Sequence, residues 1–333
     1  MALFGLLALA VYLMYKKEWV LAHIALIPSF LWHFLGSFVL SGELAGNYDY
    51  YLFLLAFVLL FVPYKEFFLK LLLVLFYFLA SLSKIHESWI LGTYFSSLKT
   101  GLPLFPDWSI PIWTNLVIFM EMVAAWFLLS GRRLLQRAVF IFFVAFHLYS
   151  GIFVGFRYPA TVLPTLLILF GPLYAYTPPP LTRRALAGWI LVSLMFMAQL
   201  SPLLVRGDEK LTLEANKFGL YMFESNHQCV SSATVFLKDG TQYEVRAESV
   251  SARSRCDPYY YWFSLRAPCE RDQAIGRIVW TFDHSINGGP FLRIVDEQDA
   301  CSLSYDPFRH NAWIKTETDA PEVIGWPVEN VYD

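Results

Sequence analysis

The run Ser83-Lys84-Ile85-His86-Glu87-Ser88-Trp89-Ile90-Leu91-Gly92-Thr93-Tyr94 sets a lysine, a histidine and a glutamate within four residues, directly after the apolar stretch 67–82. Ionisable groups at such a place are expensive to bury, so the arrangement asks for a purpose. A lysine held in an apolar pocket loses the solvation of its charged form, and as a neutral amine it is a base. The plain alternative is that the apolar stretch simply ends here and Lys84 snorkels its ammonium to an interface. His86 lies only two positions on, so a helix would point it away from Lys84.

Further ionisable residues fall inside apolar stretches. Glu121 is near the middle of 112–129, where a carboxylate is either neutral or paired. It is a functional candidate, or else a structural partner for a polar group on a neighbouring helix. His147, in Phe146-His147-Leu148, carries the same choice between chemistry and hydrogen-bonded packing, and His23 and His33 read as packing residues. Arg157 ends a stretch in Phe156-Arg157-Tyr158-Pro159 and serves as an interface anchor or as the holder of an anion. The chain has no Gly-rich phosphate loop, HExxH or Gly-x-Ser-x-Gly, so nucleotide, metalloprotease and esterase chemistry find no support.

The elements that must position these residues follow from composition. Charged residues make up 16% of the chain and hydrophobic ones 57%, far from the roughly 25% charged usual for a soluble domain. This is the balance of a membrane protein, and a formal net charge of -2 gives no hint of nucleic-acid binding. Apolar stretches approaching the roughly 20 residues of a bilayer span occupy 2–15, 19–40, 50–62, 67–82, 112–129, 138–155, 159–176 and 185–205. The basic groups Lys16-Lys17, Lys65 with Lys70, Arg132-Arg133 with Arg137, and Arg183-Arg184 fall in alternate connections, which are therefore cytoplasmic. With eight spans, both the N-terminus and everything after 205 face outside. No basic region precedes the first stretch, so it is not a signal peptide, and direct insertion suits a bacterial inner membrane. In the outer loop from Lys84, Gly101, Pro103, Pro106 and Pro111 break any continuous helix. Leu102, Leu104, Phe105 and Trp108 make it a re-entrant segment roofing a cavity.

Charges crowd into the last third, which gives two domains, 1–205 in the membrane and 206–333 outside it. All four cysteines (Cys229, Cys256, Cys269, Cys301) lie in the second, as expected of a disulfide-bearing exocytoplasmic domain; three pairings are open. A zinc site using His227 and Cys229 is the rival, but repeated Cys-x-x-Cys spacing is absent and no metal is expected. Alternation predicts strands at 233–237 and 242–246 around the Asp239-Gly240 hairpin signal, and at 259–265, 275–282 and 291–295, hence a small β-sandwich.

Taken together, these residues resemble the vitamin K-dependent γ-glutamyl carboxylases and their bacterial relatives, whose membrane part is the HTTM (horizontally transferred transmembrane) domain. The family's lysine pair followed by Leu-Asp-x-Asp-Trp-x-x-Gly-Tyr is similar to the run from Ser83 to Gly92. Lys84 takes the place of the second lysine, the family's base toward the vitamin K hydroquinone, and Trp89 and Gly92 are kept. Ser83, His86 and Ser88 depart from the pattern. Glu121 resembles the family's mid-span acid, and Phe146-His147 its Phe-His dipeptide. Asn47-Tyr48 before Leu54-Leu55-Ala56-Phe57 resembles an Asn-His pair, with Tyr48 in place of histidine. In the soluble part the Asp239-Gly240 hairpin, Asp283-His284-Ser285-Ile286-Asn287 and Asp306-Pro307-Phe308-Arg309 follow the family's order. The family's carboxylases continue beyond this length, so their propeptide-binding surface is not carried over.

The resemblance implies a multi-span α-helical membrane enzyme with a small β-sandwich domain. Its catalytic residues would be Lys84, Glu121 and His147, and its quinone site would draw on Asn47, Tyr48, Trp89, Gly92 and Arg157. The cofactor would be reduced vitamin K or a menaquinol-type quinone held in lipid, with O2 and CO2 as co-substrates and a glutamate-containing peptide or protein as acceptor. The other reading is a non-carboxylating HTTM protein that binds a quinone or lipid and presents its β-domain to a partner, since a shared fold does not carry function.

Overall fold

The computed structural model describes residues 2–36, 47–96, 101–153, 159–172, 178–205, 210–216, 219–221, 225–249 and 256–323. The chain is mostly helical, with one small antiparallel sheet near its C-terminal end. It divides into two compact units, residues 1–82 with 118–198, and residues 83–117 with 199–333. The division does not follow a single cut near 205: the segment that begins at Ser83 clusters with the C-terminal part.

The first unit is built from α1 (Ala2–Tyr15), α2 (Trp19–Phe34), α3 (Asn47–Phe61), α4 (Lys65–Leu82), α8 (Arg133–Phe153), α9 (Pro159–Phe170), α10 (Arg183–Gln199) and the C-terminal part of α7 (Ile110–Met122), which a 3-10 stretch Ala124–Leu129 continues. These helices begin close to the predicted spans. α4 is the centre of the unit: residues from Phe67 to Ser81 are buried around its whole circumference, the mark of an interior helix. α10 approaches it closely because Gly188 has no side chain there; an added Cβ would come within 2.2 Å of the Phe68 ring. Lys70, expected in a cytoplasmic loop, is instead inside α4, where it is buried and donates to Glu66 at 2.6 Å. One turn of helix separates the two, which allows the pair to form.

Two helical stretches among the described residues, Asp107–Leu129 and Arg133–Phe153, are long and apolar enough to cross a membrane. Phe4–Tyr15, Trp19–Phe34, Tyr50–Phe61 and Pro159–Phe170 are apolar and shorter. Large apolar side chains such as Phe4, Val20, Ile141, Ile152 and Ile168 are exposed on these helices.

In the second unit the strands β1 (His227–Leu237), β2 (Gln242–Ser249), β3 (Ile275–Ile286) and β4 (Leu292–Asp299) form one sheet in the order β2-β1-β3-β4, antiparallel throughout. The Asp239-Gly240 turn joins β1 to β2 as predicted. Gly240 takes φ +89, and the Asp239 carboxylate accepts from the Thr241 amide at 2.9 Å and hydroxyl at 2.7 Å. A second turn, Asn287-Gly288, also has positive φ at both residues and closes with Gly289 N donating to Ile286 O at 2.9 Å.

The expected strand at 259–265 is a correction: it lies inside a helix, α11 (Pro258–Arg271). Aromatic-rich Tyr259-Tyr260-Tyr261-Trp262-Phe263 reads as strand by propensity. Asp257-Pro258 overrides it, because the Asp257 carboxylate caps the helix by accepting from Tyr259 N at 3.0 Å and Pro258 sits at its first turn. Among the described residues the sheet is therefore covered by a helix, and no second sheet forms the predicted sandwich. Trp262, Tyr259 and Leu265 of α11 pack with Trp280, Phe282, Ile294 and Ile314 in the core.

Of the three open pairings the structure has Cys229–Cys256 and Cys269–Cys301. Cys256 immediately precedes the α11 cap and Cys269 lies within α11, so both bonds staple this helix, one to β1 and one to Cys301, two residues beyond β4. Cys229 is thereby withdrawn from any zinc site. Peptide mapping without reduction should recover these two linked pairs. Replacing either pair with serine should lower the stability of the unit by about 2–5 kcal/mol in denaturant titrations.

Candidate functional site

Lys84 follows α4 by two residues and is almost wholly buried, at 2% exposure, with Nζ 5.6 Å from the centre of the Trp89 ring. That distance is within cation–π range. The sequence alternative, an ammonium snorkelling into water, is not what this burial describes. Trp89 lies on a single helical turn, α5 (Glu87–Ile90), which a second turn, α6 (Thr93–Ser96), follows, and it is fixed from two sides. Its Nε1 donates to Thr114 O at 3.0 Å, and its ring packs edge-on or tilted against Phe95 and Tyr94, with centroids 5.4 and 5.2 Å away. Asn115 Nδ2 ties the same turn to α7 by donating to Ile90 O at 2.8 Å.

Gly92 explains itself by geometry. Its φ is +77, and a Cβ would meet Ile110 Cγ2 at 2.7 Å and Pro111 N at 3.1 Å. Only glycine allows the chain to reverse this close to α7. In the segment 101–111 Leu104 and Trp108 are exposed while Leu102 is buried, and 97–100 fall outside the described residues.

The Lys84 segment is hydrogen-bonded to one end of the sheet, within the same unit. Asn226 Nδ2 donates to Tyr94 O at 2.5 Å, and Asn287 Nδ2 donates to Ser88 Oγ at 3.1 Å. The two asparagines also bond each other, Asn226 N to Asn287 Oδ1 and Asn287 N to Asn226 O, both at 2.8 Å. At this end burial of polar groups is dense. Asn226, His227, Gln228, Asp283, His284 and Ser285 are all buried.

A histidine pair sits in this cluster because of strand periodicity. Ile278, Trp280, Phe282 and His284 are buried at every second position of β3, so His284 continues the core face. Its cross-strand partner is Cys229, and His227 lies two residues along on the same face of β1. His227 Nδ1 is 3.0 Å from His284 Nε2, and His284 Nδ1 is 2.7 Å from Leu211 O. A carbonyl only accepts, so His284 carries its proton on Nδ1 and presents a lone pair at Nε2. His227 must then donate from Nδ1. Burial, then the neighbouring His227, push His284 well below the ordinary histidine range, against a smaller upward pull from Leu211 O.

The loop that carries Leu211 is anchored three residues on. Glu214, buried at 3% exposure, accepts from His310 Nδ1 at 2.7 Å and from the Asn311 amide and Nδ2 at 2.8 Å each. Leu213 and Ala215 on either side are left-handed at φ +54 and +60. On the opposite face of β3, Asp283 takes two bonds from Arg293, Nε at 2.9 Å and a terminal nitrogen at 3.3 Å, and raises the arginine further.

Compared with known proteins, the chain matches no family model, no curated protein and no solved structure. The site is therefore read from its own geometry.

The first unit holds Glu121 and His147, and both bond α4. Ser81 Oγ donates to Glu121 Oε2 at 2.7 Å, and the Tyr77 hydroxyl is 2.6 Å from His147 Nε2. Tyr77 and Ser81 are one turn apart, so the acid and the histidine meet one face of the same helix. Tyr77 also stacks on Phe143 with centroids 4.0 Å apart. The side chains of Asn47 and Tyr48, and Arg157 entirely, lie outside the described residues. Residue-by-residue reading of the sequence missed His227 as a partner of His284. Alternation in Asn226-His227-Gln228-Cys229 and Phe282-Asp283-His284 places both histidines on the cysteine and phenylalanine face, and this was the available signal.

Because burial keeps His284 neutral in the fold while an unfolded histidine titrates near 6.5, the unfolded chain binds the extra proton as pH falls below that value. Stability contributed by this residue is complete above about pH 6.5 and is lost progressively below it, by at most about tenfold in the folded-to-unfolded ratio per pH unit. Denaturant midpoints between pH 7.5 and 5 should fall accordingly. In His284→Asn, which keeps a donor toward Leu211, the slope should flatten; an equal slope in both proteins would assign it elsewhere.

Proposed function

We propose that the chain is a bacterial-type relative of the vitamin K-dependent γ-glutamyl carboxylases, a membrane protein of about eight spans with its sheet domain outside the inner membrane. Lys84 removes a proton from a reduced naphthoquinone of the vitamin K or menaquinol type. Oxygen then converts the quinol anion into a strong base, which takes a proton from the γ-carbon of a glutamyl side chain and leaves as quinone epoxide and water. The carbanion adds CO2. The observation that carries this reading is the burial of Lys84 over the face of Trp89 in a wall of aromatic side chains. Quinone sites need such an apolar slot with few polar groups. The exposed apolar residues on the helices support a lipid surround, since patches of that kind are rare on soluble monomers. Glu121 and His147 are proposed as supporting acid and base.

One observation favours the second reading, a non-carboxylating quinone- or lipid-binding protein. Ser88 stands where the resemblance expects an aspartate, and its hydroxyl is engaged by Asn287. A position of the motif is thus given to joining the segment to the sheet.

Membranes containing the protein, supplied with reduced vitamin K or menaquinol, O2, labelled bicarbonate and glutamate-rich peptides, should form quinone epoxide and incorporate label. Lys84→Ala should reduce both by about 10²–10⁴-fold. Epoxide that persists in this variant removes Lys84 as the base, and absence of turnover by the parent with any quinol favours the binding protein. Cysteines introduced at Gly131 and Asp239 should label from opposite sides of the membrane.

A further inference from the structure

The geometry points to a binding site for one neutral hydrocarbon chain, the tail of a single-chain amphiphile, in the cleft between α11 and the β1–β2 side of the sheet. The cleft lies within the second unit and is independent of how Lys84 is read. Its volume is about 290 Å³. An apolar cavity of about 150 Å³ already admits benzene, so this space holds a chain on the order of ten carbons.

Two periodicities build its walls. Cross-strand pairing sets Tyr243 opposite Val235 and Val245 opposite Ala233, hence on the face of the sheet that carries the core, and Val235 is opposite Ile278 on its other side. Tyr243 and Val245 are nevertheless 49% and 43% exposed. The core is closed over β1 and β3 and open over the edge strand. Across from it α11 presents Tyr261, Ser264, Leu265 and Pro268, residues spaced three, four and seven apart on one helical face. Ser264 puts a small side chain in the middle of that face. The helix cannot settle onto β2 to close the gap, because disulfides fix both its ends, to Cys229 through Cys256 and to Cys301 through Cys269.

The lining decides the ligand. Among the described residues no charged side chain borders the cleft, and its two serine hydroxyls are engaged within the protein. Ser231 Oγ accepts from Trp280 Nε1 at 2.9 Å, and Ser264 Oγ donates to Tyr260 O at 2.9 Å. An ion or a sugar would be stripped of water there without regaining its hydrogen bonds. A hydrocarbon chain has none to lose, and it removes Tyr243 and Val245 from water. The polar head stays in solvent at the open side. The occupant is a medium-chain fatty alcohol or acid; a diacyl lipid, with two longer chains, exceeds the space.

Full-length protein in detergent-free phosphatidylcholine nanodiscs is photolabelled with decanol bearing a diazirine at its chain end, and the labelled peptides are mapped. Label should fall on 242–245 and 261–268, and excess plain decanol should remove it. Ser264→Phe fills the cleft from the helix, and Val245→Phe narrows it from the exposed edge of the sheet. Each buried methylene is worth about fourfold in binding, so excluding about two of them should lower the labelling on the order of tenfold, with both disulfides and the thermal midpoint retained. Ser264→Ala, which removes the hydroxyl and leaves the space, should label as the parent does. Phosphatidylcholine with the diazirine in one chain should leave these peptides unlabelled. Absence of label from 242–245 and 261–268, label there that persists in both folded phenylalanine variants, or equal labelling by the diacyl probe overturns the proposal.

Discussion

The reciprocal bonding of Asn226 and Asn287 is the constraint on which the second unit depends. Each backbone amide is satisfied by the other residue, Asn226 by a side-chain oxygen and Asn287 by a main-chain oxygen, so both side-chain NH2 groups are released to point at a third segment. They use that freedom on Tyr94 O and Ser88 Oγ. Each bond is worth only about 1 kcal/mol net, but leaving such groups buried and unpaired costs about 1–3 kcal/mol apiece. The penalty for separation is therefore larger than the gain of formation, and this asymmetry makes residues 83–117 a part of the sheet's unit rather than a loop that passes it.

A second dependence runs from Glu214 to the histidine pair. Left-handed backbone at Leu213 and Ala215 costs on the order of 1–3 kcal/mol each. Three donors on one buried carboxylate offset this, since bonds to charged groups contribute about 1.5–3 kcal/mol each. The loop can thus hold a strained path, and the Leu211 carbonyl at its start is fixed in the position that decides the His284 tautomer.

What was legible in the sequence was whatever local chemistry alone decides. Apolar runs gave the helices, Asp239-Gly240 gave a hairpin because αL geometry favours glycine there, and alternation gave the strands that pair. Failures came where a distant part of the chain decides. Aromatic propensity at 259–265 lost to an Asp-Pro cap and two disulfides that hold α11 on the sheet. The segment beginning at Ser83 is bound by hydrogen bonds from residues about 130 and 200 positions away along the chain, a grouping that no charge boundary encodes. Lys84, Glu121 and His147 were legible as costly residues, but which group each one meets depends on helix packing that spacing does not encode. His227 and His284 were legible only as a face of a strand, and only after the register of β1 against β3 is known.

The choice of a second histidine, and not a carboxylate, behind His227 bears on how such a pair works. A carboxylate there would stabilise the imidazolium through its charge, and a proton taken up would be held. A neutral imidazole orients the ring as firmly, through one hydrogen bond, while adding much less attraction for the proton. Its own protonation is opposed by complete burial and by His227 beside it. Leu211 O closes the far end of the pair, because a carbonyl there only accepts. His284 is thereby held neutral and in one tautomer, and it orients the His227 ring through a single hydrogen bond.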